Sequence, residues 1–206
     1  FDHYSGGATV LRKLPTERLL FNPYFEASAA ENATVRQFLA SLPPGSPPRS
    51  TLRSGDRFML GKASIEVLWP PDDLDESWQP NDRSLVLRIE ANGRSIILSG
   101  DIERAALRSL LDRHSEGQIN LKADVLVAPH HGAVVPAETA AFYEAVAPEV
   151  VIVSTGRERL KLVRLVREMF GEAVSLISTD QAGAVTVRIS PEGELHVETP
   201  FAPTHQ

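Results

Sequence analysis

The segment ADVLVAPHHG, residues 123–132, decides how this chain is read. A short apolar run rich in Val and Leu stops at Pro129, followed by the adjacent His130 and His131 and then Gly132. That is the pattern of a buried strand whose last side chains rise above the sheet edge. A second such event precedes it: RSIILSGD, residues 94–101, ends in Gly100 and Asp101. Two neighbouring strands that deliver a carboxylate and imidazoles to one edge make a metal site of the nitrogen/oxygen type. The chain opens FDHYSGG, with Asp2 beside His3. An Asp-His dipeptide alone carries little weight, and separate surface residues are the plain alternative. With Asp101, His130 and His131 it forms a set large enough for a divalent ion, and strand ends are where α/β sheets display functional groups.

Outward from these motifs, the second half alternates. NDRSLVLRIE (81–90) begins a strand alternation and ANG at 91–93 signals a hairpin turn into RSIILSGD. IERAALRSLLDR (102–113) is an amphipathic helix, 139–146 a second helix stopped near Pro148, and LKLVRLVREMF (160–170) a third, ended by Gly171. EVVIVSTG (149–156) is a strand, and SLISTDQAGAVTVRI with ELHVET gives terminal strands around the turn PEG. The order strand, helix, strand, helix, strand, helix, strand predicts helices packed on a mixed sheet. In the first half, residues 8–21 read as a short helix, a break at Pro15 and a strand. Val35, Phe38, Leu39 and Leu42 mark a helix over 28–42. PPGSPPRS (43–50) is a surface loop, and 51–60 and 63–69 are strand candidates joined near Gly61.

Composition bounds the answer. At 206 residues the chain can form one ample core, and 42% hydrophobic with 23% charged residues is ordinary for a globular domain. No run of apolar residues is long enough to span a bilayer. The absence of cysteine excludes disulfides, thiolate metal sites and a cysteine nucleophile. A net charge of −6 means that nucleic acid would be held by a local patch or through metal ions, not by the whole surface. We expect a single α/β domain over residues 1–206.

The stretches DHYSGG, NDRSLVLRIEANGRSIILSGDIE, ADVLVAPHHG and PEVVIVSTG resemble the metallo-β-lactamase fold. More narrowly, they are similar to the hydrolase domain attached to the bacterial competence DNA-uptake channel, the ComEC family. The resemblance implies an αββα sandwich, here lacking its upstream strands and the start of its metal loop. It implies metal ligation by Asp2 and His3, the closing pair of a histidine/aspartate loop, and by Asp101 as the carboxylate that reaches a second ion. His131, directly before Gly132, completes the set, with His130 a co-ligand or a group that steadies one. Asp101 and Asp2 are the catalytic candidates, and Asn81, Ser84 and Arg157 the substrate-binding ones. The implied cofactor is Zn2+ or Mn2+, up to two ions. The implied partners are DNA as substrate and the membrane-channel portion of the same polypeptide, at the extracytoplasmic face of the inner membrane. Two features depart from the family pattern: GRERLKLV follows the STG strand end without a Gly-His-Pro, and Ala133 follows His-His-Gly where serine is common.

Breaking a phosphodiester at neutral pH needs a nucleophile stronger than water and relief of charge on the phosphate, which two divalent ions can supply. Adjacent histidines on a regular strand point to opposite faces. At a strand end that turns at Gly132, both can converge. Elsewhere, His114 at a helix end and His196 on a strand read as surface positions, His205 as tail, and Trp69 as core. Besides a nuclease, two alternatives fit: a hydrolase of small phosphodiesters or esters, and a catalytically inactive docking module of a membrane channel.

Overall fold

The computed structural model describes residue 4, residues 6–75, 77–156, 158 and 160–201. Asp2, His3 and Arg157 therefore lie outside the described residues, as does His205. The chain forms two compact units, Phe1–Arg53 and Ser54–Gln206.

The first unit holds α1 (Gly7–Lys13), β1 (Leu19–Phe21), α2 (Ala33–Ala40) and β2 (Arg49–Thr51), with β1 and β2 paired in parallel. Asn32 starts α2 by accepting the N–H groups of Thr34 and Val35 at 3.0 and 3.3 Å, which satisfies two donors that a helix start leaves over. Of the predicted helical face, Val35 and Phe38 are buried. Phe38 packs edge-on against Tyr4 and Phe25, and Phe25 stacks on Phe21 with ring centroids 4.8 Å apart.

The second unit is built on seven strands in the spatial order of the chain: β3 (Arg57–Leu60), β4 (Ala63–Trp69), β5 (Val86–Ala91), β6 (Arg94–Leu98), β7 (Val125–Val127), β8 (Val150–Val153) and β9 (Ser175–Ser178). β3 to β6 pair antiparallel and β6 to β9 parallel, with Ile97, Leu126, Val151 and Leu176 in register. Three helices make the parallel crossovers: α3 (Arg104–Ser115), α4 (Pro136–Val146) and α5 (Leu160–Phe170). Each crossover steps one strand in the same direction. Right-handed crossovers of that kind place all three helices on one face.

Alternation of side chains then gives the sheet two apolar faces. Ile97, Leu126, Val151 and Val153 join Leu107, Leu110, Phe142, Val146 and Val166 in the helix-side core. Val125, Val150, Ile152 and Ile177 face the other way, where Val187, Leu195 and Val197 cover them. Those last residues come from the antiparallel pair β10 (Thr186–Ile189) and β11 (Leu195–Glu198), which follows the short helix α6 (Thr179–Ala182). β7 and β8 are thus covered on both faces, which explains their uninterrupted Val/Leu/Ile runs. The unit is mixed α/β with a large central sheet, as expected, a helix layer on one side and a small second sheet on the other.

The structure departs from the sequence expectation in several places, among them Arg49 and Ser50, expected in a loop, which belong to β2. The strand expected over 51–60 begins only at Arg57. Residues 179–182, read as strand continuation, form α6. His114, expected at the surface, is half-buried, its Nδ1 3.2 Å from the Ile119 carbonyl in the link from α3 to β7.

Candidate functional site

The parallel strands β6, β7 and β8 end side by side, and the loops after them build one rim. β6 runs into Ser99, whose hydroxyl donates to the Val127 carbonyl and ties the ends of β6 and β7 together. Gly100 follows with φ +56; a Cβ there would lie 2.9 Å from Ser84 Cβ and 3.0 Å from the Leu85 carbonyl oxygen. Only glycine fits both that conformation and that contact. The turn lifts Asp101 onto the rim, and the Gly100 carbonyl accepts the His130 N–H at 3.0 Å.

β7 ends in a tight turn over Pro129–Gly132. His130 (φ 48, ψ 49) and His131 (φ 57, ψ 27) are both left-handed, and Gly132 follows at φ +83. Two consecutive non-glycine residues in that region cost of order 1–3 kcal/mol each and persist only where the surroundings over-determine them. Here the His130 N–H bonds the Gly100 carbonyl and His131 Nδ1 the Ser154 carbonyl, while Val153 leaves room only for glycine at 132, where a Cβ would stand 2.9 Å from its Cγ1.

The ring centroids of the two histidines are 6.2 Å apart, and each ring meets its own partners. His131 Nδ1 lies 2.7 Å from the Ser154 carbonyl oxygen. A carbonyl only accepts, so Nδ1 carries a proton, which in the neutral imidazole puts the lone pair on Nε2. That Nε2 stands 3.8 Å from Asp101 Oδ1, both side chains being largely buried. His130 instead sets Nδ1 3.0 Å from Glu103 Oε1, and the same oxygen accepts the Asn81 amide at 2.9 Å. Both rings are therefore held by Nδ1, the arrangement by which outer partners fix a ligating imidazole.

Asn81 sits in a short turn, Asn81–Arg83, docked on the start of α3. Asp82 is buried there, its carboxylate accepting the N–H groups of Glu103 and Ala106 at 2.8 and 3.1 Å. Trp69, a core residue as expected, donates its indole N–H to the Asp82 carbonyl at 2.6 Å. Ser84 lies against Gly100. The structure thus brings together Asp101 with His131, and His130 with Glu103 and Asn81. Among the described residues, no three His, Asp or Glu side chains gather as a metal-holding group.

Sequence reading missed Glu103, Asp82 and the Ser154 carbonyl. Glu103 had a signal, standing two residues after Asp101 and directly before a helix start. A main-chain carbonyl has none.

No family model matches the chain. Among curated proteins, it is 28% identical over 145 residues to ComE operon protein 3 of Bacillus subtilis, a match covering 66% of this chain and 17% of that protein. It is 29% identical over 110 residues to competence protein ComA of Neisseria gonorrhoeae, covering 51% and 15%. The chain is similar to competence proteins of the ComEC family. It spans less than a fifth of the length of either relative. Among solved structures, the metallo-beta-lactamase fold protein YhfI of Bacillus subtilis aligns with a TM-score of 0.44 at 10% identity, over 83% of this chain and 66% of that one. A Thermotoga maritima protein of the metallo-beta-lactamase superfamily aligns at 0.38 and 11%, over 65% and 74%.

Proposed function

We propose that the rim at the ends of β6, β7 and β8 is the centre of a metal-dependent hydrolase that cuts phosphodiester bonds of DNA during competence DNA uptake. One observation carries the reading: Asp101 Oδ1 and His131 Nε2 are 3.8 Å apart, and the other ring nitrogen is pinned to the Ser154 carbonyl. Two ligands of a tetrahedral zinc, each about 2.1 Å from the ion, are about 3.4 Å apart. A shift of a few tenths of an ångström lets both groups reach one ion, and their nitrogen/oxygen chemistry suits zinc or manganese. The donor pair fits a divalent cation.

Asp101 and His131 would hold that ion, and His130 would add Nε2 or steady its neighbour. Asp2 and His3 enter as further ligands on the sequence resemblance alone, as does the possibility of two ions. A divalent ion supplies a Lewis acid for phosphate oxygens and acidifies water. The chain's own residues supply the rest. Glu103 and Asn81 orient His130, Ser84 backs the Gly100 turn, and Arg157 is proposed as a phosphate contact because guanidinium matches phosphate geometry. The similarity to competence proteins supports a place beside the channel portion of a longer membrane polypeptide, on its extracytoplasmic side. No helix among the described residues is long and apolar enough to cross a membrane.

Metal content and DNA cleavage test the reading together. The expected result is stoichiometric Zn2+ or Mn2+ and cleavage of a DNA substrate, both lost in Asp101→Ala and His131→Ala. A chain that stays metal-free in excess cation and leaves DNA intact sinks it. That outcome favours a second reading, a docking module without catalysis.

A further inference from the structure

α5 packs its apolar side on the candidate site and turns a cationic side to solvent. Val163 and Val166 are buried, and a Cβ on Gly132 would lie 3.4 Å from Val166 Cγ2 and 3.9 Å from Leu162 Cβ. Lys161, Arg164 and Arg167, spaced three residues apart, are exposed. None of the three makes an ion pair or side-chain hydrogen bond with a described residue, although Glu168 shares the exposed arc.

Two comparisons set this stripe apart from ordinary solvated charge. Arg104 and Arg108 on α3 are also exposed, but both pair with Glu138, with the Arg108 contacts at 2.6 and 2.8 Å. In addition, α5 carries no acidic residue in its first turn, where Lys161 sits. The positive end of the helix dipole disfavours a cation there, so helix stability does not account for Lys161, whereas Arg167 in the last turn suits the dipole. In a chain of net charge −6, this is a local cationic surface beside the rim.

We propose that Lys161, Arg164 and Arg167 form a phosphate-tracking surface that holds a nucleic-acid backbone beside the Asp101–His131 pair. The three side chains span about 9 Å of helix axis, a length over which a DNA strand carries two to three phosphates at about 3.4 Å each. The inference deepens the nuclease reading and rests on it for the identity of the polymer. The same cations would also attract an anionic lipid surface, but the helix that carries them packs Val166 and Leu162 on Gly132 of the His131 turn, which favours the substrate.

Fluorescence anisotropy of a labelled DNA oligonucleotide tests this in the presence of a chelator, so that binding is read apart from metal and cleavage. The 206-residue chain is compared with the triple variant Lys161→Gln, Arg164→Gln, Arg167→Gln and with Arg57→Gln, which removes an exposed cation on β3. The expected result is a loss of affinity of about tenfold or more in the triple variant. The slope of log affinity against log salt should also fall by about 2, at roughly 0.7 per single-strand phosphate contact. Arg57→Gln should bind as the parent does. If no cleavage is ever seen but the triple variant still loses binding, the catalytic reading fails and the surface stands. Equal affinity and slope in parent and triple variant overturn the surface, as does a parent that binds no DNA. So does a triple variant that loses only its binding to phosphatidylserine vesicles.

Discussion

The Asp82 carboxylate accepts the backbone N–H of Ala106 at 3.1 Å, across 24 residues of chain. The same oxygen takes the N–H of Glu103 at 2.8 Å. α3 has no side-chain cap of its own, so Asp82 caps it from a distance. The cap also fixes where Asn81 meets Glu103, and through Glu103 where His130 points. Asp82→Ala leaves these two buried donors unpaired. It is expected to cost about 1–3 kcal/mol, read from the urea midpoint. A change under about 0.5 kcal/mol means that the cap does not hold the helix.

Glu103→Gln keeps the shape of the side chain and removes the charge that faces His130 Nδ1. Partners that orient a ligating imidazole are worth about 10–100-fold in metal affinity. Calorimetric titration with Zn2+ should show a loss within that range. Unchanged affinity would assign the Glu103–His130 pair to structure alone.

Gly132→Ala puts a methyl into left-handed backbone and against Val153. Destabilisation of about 1–3 kcal/mol is expected, and Zn2+ binding should weaken with it because the turn aims His131. Thermal melting and titration read the two effects separately. Full stability with full binding would show that the turn tolerates a side chain.

Burial pushes the Asp124 carboxyl up. The Arg94 guanidinium and the Ser95 N–H and hydroxyl outweigh it and hold the group below the usual carboxylate range. The folded state therefore favours the charged form. Its contribution is present above the ordinary carboxyl range and is lost as pH falls through that range toward the lowered folded value. Asp124→Asn should be less stable than the parent near neutral pH, and the gap should narrow in acid. Denaturant melts across that window check the sign; a gap that widens in acid refutes it.

The Tyr143 hydroxyl is buried without a hydrogen-bond partner among the described residues, and burial drives its ionisation far upward. The ring stacks on Phe170 at 4.6 Å. Tyr143→Phe keeps the stack and removes the unpaired group, so stability should hold or rise by about 1 kcal/mol. A clear loss in a urea melt would reveal a partner for the hydroxyl.

The strands and helices of the second unit were legible because their periods are clean. Val125–Val127 and Val150–Val153 are apolar at every position, as doubly covered strands must be, and 160–170 is helical over the span its pattern marks. The rim was legible as residues but not as geometry. Asp101 and His131 follow from strand ends, yet alternation suggests where adjacent side chains go only while the backbone stays extended. The left-handed turn at His130 and His131 breaks that rule, and nothing in PHHG short of its glycine announces it. Glu103 and Asp82 escaped because their roles depend on partners distant in the chain. α6 escaped because four residues carry too little period to separate a helical turn from a strand end.

The parallel half of the sheet winds without doubling back, so its spatial order copies its order of synthesis. Position along the edge is therefore a ruler for position in the polypeptide: first the Asp101 loop, then the His131 turn, then Ser154, then α6. A polymer lying along that edge meets the loops in the succession in which translation made them, and lengthening any one of them extends the edge at one point without rethreading the sheet.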